Sequence, residues 1–229
     1  MNYLVIIPAR GGSKGIKNKN IKLLKGKPLI NYTIEEARKV FDDSKIYIST
    51  DSIDIKNIVE AAGIKVPFIR PEELATDTAN SRDVVLHAIN HYEKKKNLIL
   101  DYIILLQPTS PFRNSKNIMD SLTLWNKNID MVVSVKETKS NPYYNLFEEN
   151  SAGLLIKSKK SDFTRRQDIP KVWELNGAIY LINALSIKSK KIHEFNKVVK
   201  YEMDEISSLD IDNKLDWLFA ETVSEYLKK

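Results

Sequence analysis

Four apolar residues in succession, Leu4-Val5-Ile6-Ile7, run straight into Pro8-Ala9-Arg10-Gly11-Gly12-Ser13-Lys14-Gly15. Such a run reads as a strand buried on both faces, and the glycines and cations behind it read as a loop at the end of a layered α/β sheet. Gly11, Gly12 and Gly15 predict backbone of positive φ that brings N–H groups close to an anion. Arg10, Lys14 and Lys19 add forked or mobile positive charge at the same mouth, so the expected ligand is polyanionic. The plain alternative is a glycine turn with solvated lysines. The glycine spacing matches neither G-x-x-x-x-G-K-[ST] nor G-x-G-x-x-G, which lowers the weight of kinase-type and dehydrogenase-type readings.

The rest of the chain supports a sheet. Strand-like runs at 4–7, 45–49, 66–69, 102–106, 131–135 and 178–182 alternate with helical patterns at 29–40, 53–62, 81–94 and 116–125. This alternation predicts a Rossmann-like three-layer α/β fold with a mainly parallel sheet. Residues 136–174 break the pattern with Asn141-Pro142, Tyr143-Tyr144, Gly153, a lysine run and Arg165-Arg166, and read as a protruding excursion from the sheet. A last helix is expected to bury Leu215, Leu218, Phe219, Thr222 and Tyr226. At 229 residues the whole is one domain, 1–229, with one core.

Composition removes several classes. The chain has no cysteine, which excludes disulfides, thiolate metal sites and a cysteine nucleophile. It has no apolar run of membrane-spanning length and no signal-type start, so a soluble cytoplasmic protein is expected. The net charge of +6 comes from scattered lysines without interleaved arginine and aromatic residues, which argues against nucleic-acid binding.

In open parallel sheets, ligands sit outside the carboxyl ends of the strands, which places Arg10, Asp51 and Gln107-Pro108-Thr109-Ser110-Pro111 at one crevice. Gln107 is a candidate sugar or base contact held by a two-proline turn, with an ordinary turn capped at Ser115 as the alternative. Ser81 is either a helix cap or a ligand contact. In Leu209-Asp210-Ile211-Asp212, alternation puts both carboxylates on one side, a pair of hard oxygens suited to Mg²⁺. Asp212 as the cap of the last helix is the competing reading. His87, His91 and His193 lack a metal-ligand pattern and read as surface or packing residues. No serine has a G-x-S-x-G context.

Taken together, Ile7 to Gly15 with Lys19-Asn20, Arg70-Pro71 to Leu74-Ala75 with Asp77-Thr78, Leu106 to Arg113, Asn176 to Tyr180 and Leu209 to Asp212 resemble the CMP-sialate synthetases, the acylneuraminate cytidylyltransferases. The resemblance implies transfer of CMP from CTP to the anomeric hydroxyl of a nine-carbon 2-keto sugar acid, N-acetylneuraminate, with release of pyrophosphate and use of Mg²⁺. It implies CTP contacts from Arg10, Gly12, Ser13, Lys14, Lys19, Asn20 and Ser81, with Arg10, Lys19 and Asp212 catalytic. Gln107, Tyr180 and Arg166 would hold the sugar, and Asp210 and Asp212 the metal. It also implies a homodimer in which the excursion delivers Arg166 to the partner's site. Tyr144 stands where some neuraminate enzymes have lysine, and Glu174-Leu175 where some have Arg-Pro, which brings legionaminate-like acids forward as the alternative sugar. Ser13-Lys14-Gly15 departs from the S-T-R-L-P-G-K-P-type loop of the KDO synthetases. A non-catalytic nucleotide sensor is the reading from another class.

Overall fold

The computed structural model describes residues 1–13, 15–76 and 79–227, with the side chain of Arg166 outside the description. Strand β1 (Tyr3–Pro8) buries Leu4, Val5, Ile6 and Ile7 completely, because successive side chains point to opposite faces and each face is covered. Val5 and Ile7 pack with α1 (Leu29–Arg38) and α2 (Ile53–Ala61), whereas Leu4 and Ile6 pack with α3 (Ser81–Lys96). Each such fully buried side chain stabilises the fold by about 1.5–3 kcal/mol. The expected apolar stripe Val84, Val85, Ala88 and Tyr92 on α3 is buried.

A small antiparallel ribbon, β2 (Leu23–Leu24) with β3 (Lys27–Pro28), precedes α1. The main sheet then gathers β4 (Ile46–Ser49), β5 (Tyr102–Leu106) and β6 (Met131–Glu137). The hairpin of β7 (Phe147–Glu149) and β8 (Leu155–Lys157) leaves it, and β9 (Trp173–Asn183) and β10 (Val198–Glu202) complete it. Its order is β10-β6-β9-β5-β1-β4, with β9 antiparallel to both neighbours and the other adjacent pairs parallel. Helix α4 (Ser115–Leu122) joins the α1 and α2 side through Ile118, and α5 (Ala184–Ser189) joins the α3 side through Ala184 and Ile187.

Two sequence expectations are corrected. Residues 66–69 contribute an isolated bridge between Thr50 and Ile69 rather than a strand, since Pro67 has no N–H to give a ladder. In α6 (Lys214–Tyr226) the buried side chains are Trp217, Ala220, Val223 and Ser224, not the expected stripe. Leu215, Leu218, Phe219 and Tyr226 lie 57–76 % exposed. The small Ala220 and Ser224 let the helix approach closely, and Trp217, Ala220 and Val223 pack in a third cluster with Ile16, Leu24, Leu29, Leu209 and Ile211. That cluster ties the loop after β1 to the segment before α6.

Beyond a bulge between Val133 and Val135, the β6–β9 ladder continues to Glu137 and Trp173 and carries the excursion out as a two-stranded stalk. Among the described residues no helix is long and apolar enough to cross a membrane.

Candidate active site

The N–H of Ala9 still pairs with the Ser49 carbonyl at 2.9 Å, and the chain leaves the sheet just after it. Gly11 donates its N–H to Asp51 Oδ1 at 3.0 Å, and a Cβ on Gly11 would stand 2.9 Å from the Ser52 Cβ. Gly15 is tighter, since its Cβ would fall 2.1 Å from the Asp212 carbonyl oxygen. Gly11 and Gly12 lack positive φ, which corrects the expectation of left-handed backbone there. Gly11 and Gly15 serve close approach instead. A Cβ on Gly12 would meet nothing within 4 Å beyond its chain neighbours, and among the described residues of the segment Asn18 is left-handed, at φ 53°.

The loop borders a cleft of about 310 Å³ beyond the carboxyl ends of β1 and β5. Arg10, Gly12, Ser13, Lys19, Asn20, Ser81, Gln107 and Asp212 all line it, so the structure brings most of the expected site together. Lys14 and the Asp77-Thr78 pair lie outside the described residues. Asn20 is buried and donates Nδ2 to the Arg10 carbonyl at 3.0 Å, which shapes the loop from within. Asn80 caps α3 by accepting the Arg82 N–H at 3.0 Å, so Ser81 is not the cap and faces the cleft. Likewise Asn114 rather than Ser115 caps α4.

Sequence reasoning assigned no role to Arg70, yet it lines the same cleft from 5 % exposure. Its Nη2 donates to the Ser49 carbonyl at 3.1 Å and lies 3.7 Å from Asp51. Burial lowers its pKa, Asp51 opposes that and Arg10 adds to it, so two guanidiniums share one wall. The available signal was the Arg70-Pro71 dipeptide, which places a cation just past the Thr50–Ile69 bridge. Leu74, Val84, Val85 and Leu105 supply an apolar wall beside it.

Lys19 joins the two ends of the site. Its Nζ donates to the Ile211 carbonyl at 2.6 Å and to Asp212 Oδ1 at 3.1 Å. The Lys19 side chain is 11 % exposed and that of Asp212 is 75 % exposed, so the ion pair contributes about 0–1 kcal/mol and is easily exchanged for a ligand anion. Asp212 does not cap α6. Asn213 does, through the N–H groups of Leu215 and Asp216, and the Asp212 side chain is left for the cleft.

Asp210 stands behind the lining, against Gly177, whose φ is +75° and whose Cβ would meet Asp210 Oδ2 at 3.6 Å and Gln107 Nε2 at 3.9 Å. Burial pushes the Asp210 carboxyl above the ordinary carboxylate value; the nearby Thr109 hydroxyl pulls it back and the Asp212 charge pushes it further up. Asp210 Oδ1 is buried with no hydrogen-bond partner. An unpartnered buried carboxylate oxygen beside a second, exposed carboxylate fits Mg²⁺, which takes one or two carboxylates and completes its shell with phosphate oxygens and water. Among the described residues no cluster of three or more His, Cys, Asp or Glu side chains forms a metal site of its own, so substrate and water would supply the other ligands.

Tyr180 lies outside the lining and meets the site through Asp210, whose charge adds to burial in raising the phenol pKa. The backbone of Arg166 sits in a short 3-10 turn of the excursion, Arg166–Asp168, and its side chain is outside the described residues. None of the described residues 136–174 lines this chain's cleft. His87 and His91 pack against the Phe68 ring at 4.6 and 4.9 Å, as the packing reading expected.

Fold and cleft together define a nucleotidyltransferase-like α/β protein, with a cationic loop facing the Asp212 carboxylate and Asp210 behind the lining. A family model described as cytidylyltransferase matches residues 4–226, and this chain belongs to that family. It is 33% identical over 226 residues to the CMP-N,N'-diacetyllegionaminic acid synthase of Legionella pneumophila, covering 98% of this chain and 97% of that one. It is 36% identical to the N-acylneuraminate cytidylyltransferase of Escherichia coli over 97% of this chain and 52% of the relative, of which it therefore spans about half. Among solved structures, a CMP:2-keto-3-deoxy-manno-octonic acid synthetase complexed with CTP superposes with a TM-score of 0.72 over 99% of this chain. At 15% identity that likeness is one of fold.

Proposed function

We propose that the protein transfers CMP from CTP to the anomeric hydroxyl of a nonulosonic acid and releases pyrophosphate. The observation that carries this reading is the Lys19–Asp212 contact, which sets Arg10, Lys19 and the Asp212 carboxylate on one cleft with Asp210 behind it. In the reaction the anomeric hydroxyl gives its proton to solvent as its oxygen attacks the α-phosphorus in line, the bond from that phosphorus to the α,β-bridging oxygen breaks, and pyrophosphate leaves. Catalysis of this type is positioning plus charge stabilisation. Arg10, Gly12, Ser13, Lys14, Asn20 and Ser81 would hold the nucleotide, and Lys19 would meet the charge that grows at the α-phosphate. Asp210 and Asp212 would hold Mg²⁺, which when bound offsets triphosphate charge. Gln107 and Tyr180 would orient the sugar acid.

For the sugar we propose N-acetylneuraminate, with a diacetyllegionaminate-type acid as the second reading. Tyr144 and Glu174 favour the second, as does end-to-end coverage by the Legionella pneumophila relative. We also propose a homodimer in which Arg166 reaches the partner's cleft. Phe147, Leu154, Leu155 and Ile156 of the excursion hairpin are exposed, an apolar surface of the kind a second copy covers. Pyrophosphate release measured with CTP, Mg²⁺ and a panel of nonulosonic acids tests the function. Turnover with CTP and one or more of these acids is expected, and tight CTP binding without turnover on any acid would leave the nucleotide sensor instead.

A further inference from the structure

Arg113 is among the largest fully buried side chains of the protein, at 1 % exposure. A buried guanidinium is costly unless it is paired and hydrogen-bonded. Its Nη1 donates to the Gln107 carbonyl at 3.0 Å and to the Ala178 carbonyl at 3.1 Å. The location of these two acceptors is specific. The β5–β9 ladder ends at the Leu106–Ile179 pair, so Gln107 and Ala178 form the next rung, where the backbone no longer pairs. Arg113 supplies that rung. A second donor, the buried Thr33 hydroxyl of α1, reaches the same Gln107 carbonyl at 3.3 Å. Nε and Nη2 of Arg113 have no hydrogen-bond partner, so the bonds this side chain makes are the two from Nη1 to these carbonyls. Burial lowers the guanidinium pKa to about 10, opposed by the field of Glu36, and it stays charged at neutral pH.

The Gln107 carbonyl belongs to a residue that lines the cleft, and Ala178 follows Gly177, whose Cβ would stand 3.6 Å from Asp210 Oδ2 and 3.9 Å from Gln107 Nε2. A peptide plane pinned at its carbonyl fixes the direction in which its side chain leaves the backbone. A displacement of about 1 Å at such a group costs on the order of 10²-fold in rate.

We propose that Arg113 is a positioning residue for the acceptor side of the site, bridging the ends of β5 and β9 so that Gln107 is aimed at the sugar acid. This rests on the proposed role of Gln107 in holding that substrate. Arg113→Lys and Arg113→Met are expected to lower kcat/KM for the sugar acid on the order of 10- to 10²-fold, with the CTP KM changed less than about twofold. Thr33→Val, which removes the second donor with little change of shape, is expected to move the sugar-acid constant the same way by a smaller factor, and serves if the arginine variants do not fold. Gln107→Ala separates the two claims. If it leaves the sugar-acid constants unchanged, the role of Gln107 fails and this proposal with it. If it weakens them, adding Arg113→Lys or Thr33→Val to Gln107→Ala should produce little further loss, because both act through Gln107. Full additivity, or a parallel fall in CTP and sugar-acid constants, would make Arg113 a general structural residue and overturn the proposal.

Discussion

Lys19 is the residue on which both halves of the site meet, and its two bonds give it two uses. It holds Ile211 and Asp212, and on the proposed reading its ammonium also serves a phosphate, since the exposed Asp212 holds it weakly. Lys19→Ala is expected to reduce kcat on the order of 10²- to 10³-fold, with a smaller effect on CTP KM, as for loss of one transition-state donor; kcat near wild type with a raised KM would reverse that assignment. Asp212→Asn should abolish turnover while circular dichroism stays unchanged, since Asn213 already caps α6. Asp210→Asn has a second expected signature. A carboxyl raised in the folded state binds its proton more tightly there than in the unfolded chain, so ionised Asp210 costs stability above its folded pKa. The cost vanishes below the ordinary value of 3.8. In chelator, Asp210→Asn should therefore melt above wild type at neutral pH, by about 2–4 °C per kcal/mol relieved. The gap should close as pH falls toward 4. An equal Tm at neutral pH would mean that Asp210 is not held against its burial.

Among the elements, α6 and the loop after β1 are fitted to each other, and Gly15 is the fit. Gly15→Ala places a Cβ into the Asp212 backbone, where no flexible side chain can yield. Urea unfolding should show a loss of about 1–3 kcal/mol, as for overpacking against a fixed wall, and unchanged stability would show that the loop moves freely from α6. The same helix marks the limit of what could be read from residue order. Its large residues Leu215, Leu218 and Phe219 suggest one face, but the opposite one is buried: Ala220 and Ser224 are small enough for close approach, and Trp217 and Val223 fill the cluster with Leu209 and Ile211. Period and residue size conflict there, and packing decides. The central strands were legible from their apolar runs. The edge strand β10 was missed, because Val198, Lys200 and Glu202 face outward and dilute its signal. Site residues next to strand ends, such as Arg10 and Gln107, could be located by topology alone. Arg70 could not, since its place depends on a single bridge, Thr50 to Ile69. For the excursion hairpin, Leu155→Lys with Ile156→Glu should shift sedimentation from dimer to monomer, as charge replaces the exposed apolar face. A variant that stays dimeric would place the interface elsewhere.

For the whole molecule, the proposed dimer predicts complementation. Inactive Arg166→Ala and Asp212→Asn chains, mixed and allowed to exchange subunits, should regain part of the activity, because each heterodimer has one site free of both lesions. Confirmed heterodimers without recovery would return Arg166 to its own chain's cleft. The Lys19 contacts reach across 192 and 193 residues of chain. At a synthesis rate of about 5–20 residues per second, the loop leaves the ribosome roughly 10–40 s before Ile211 and Asp212 exist to meet it. During that interval Lys19 has no carbonyl to hold it and Gly15 no backbone to pack on, so the growing chain can stack its sheet without yet presenting an ordered anion site. On the proposed reading, nucleotide capture would wait until the sheet is built, because a chain that ends before residue 209 lacks the partners of Lys19 and Gly15.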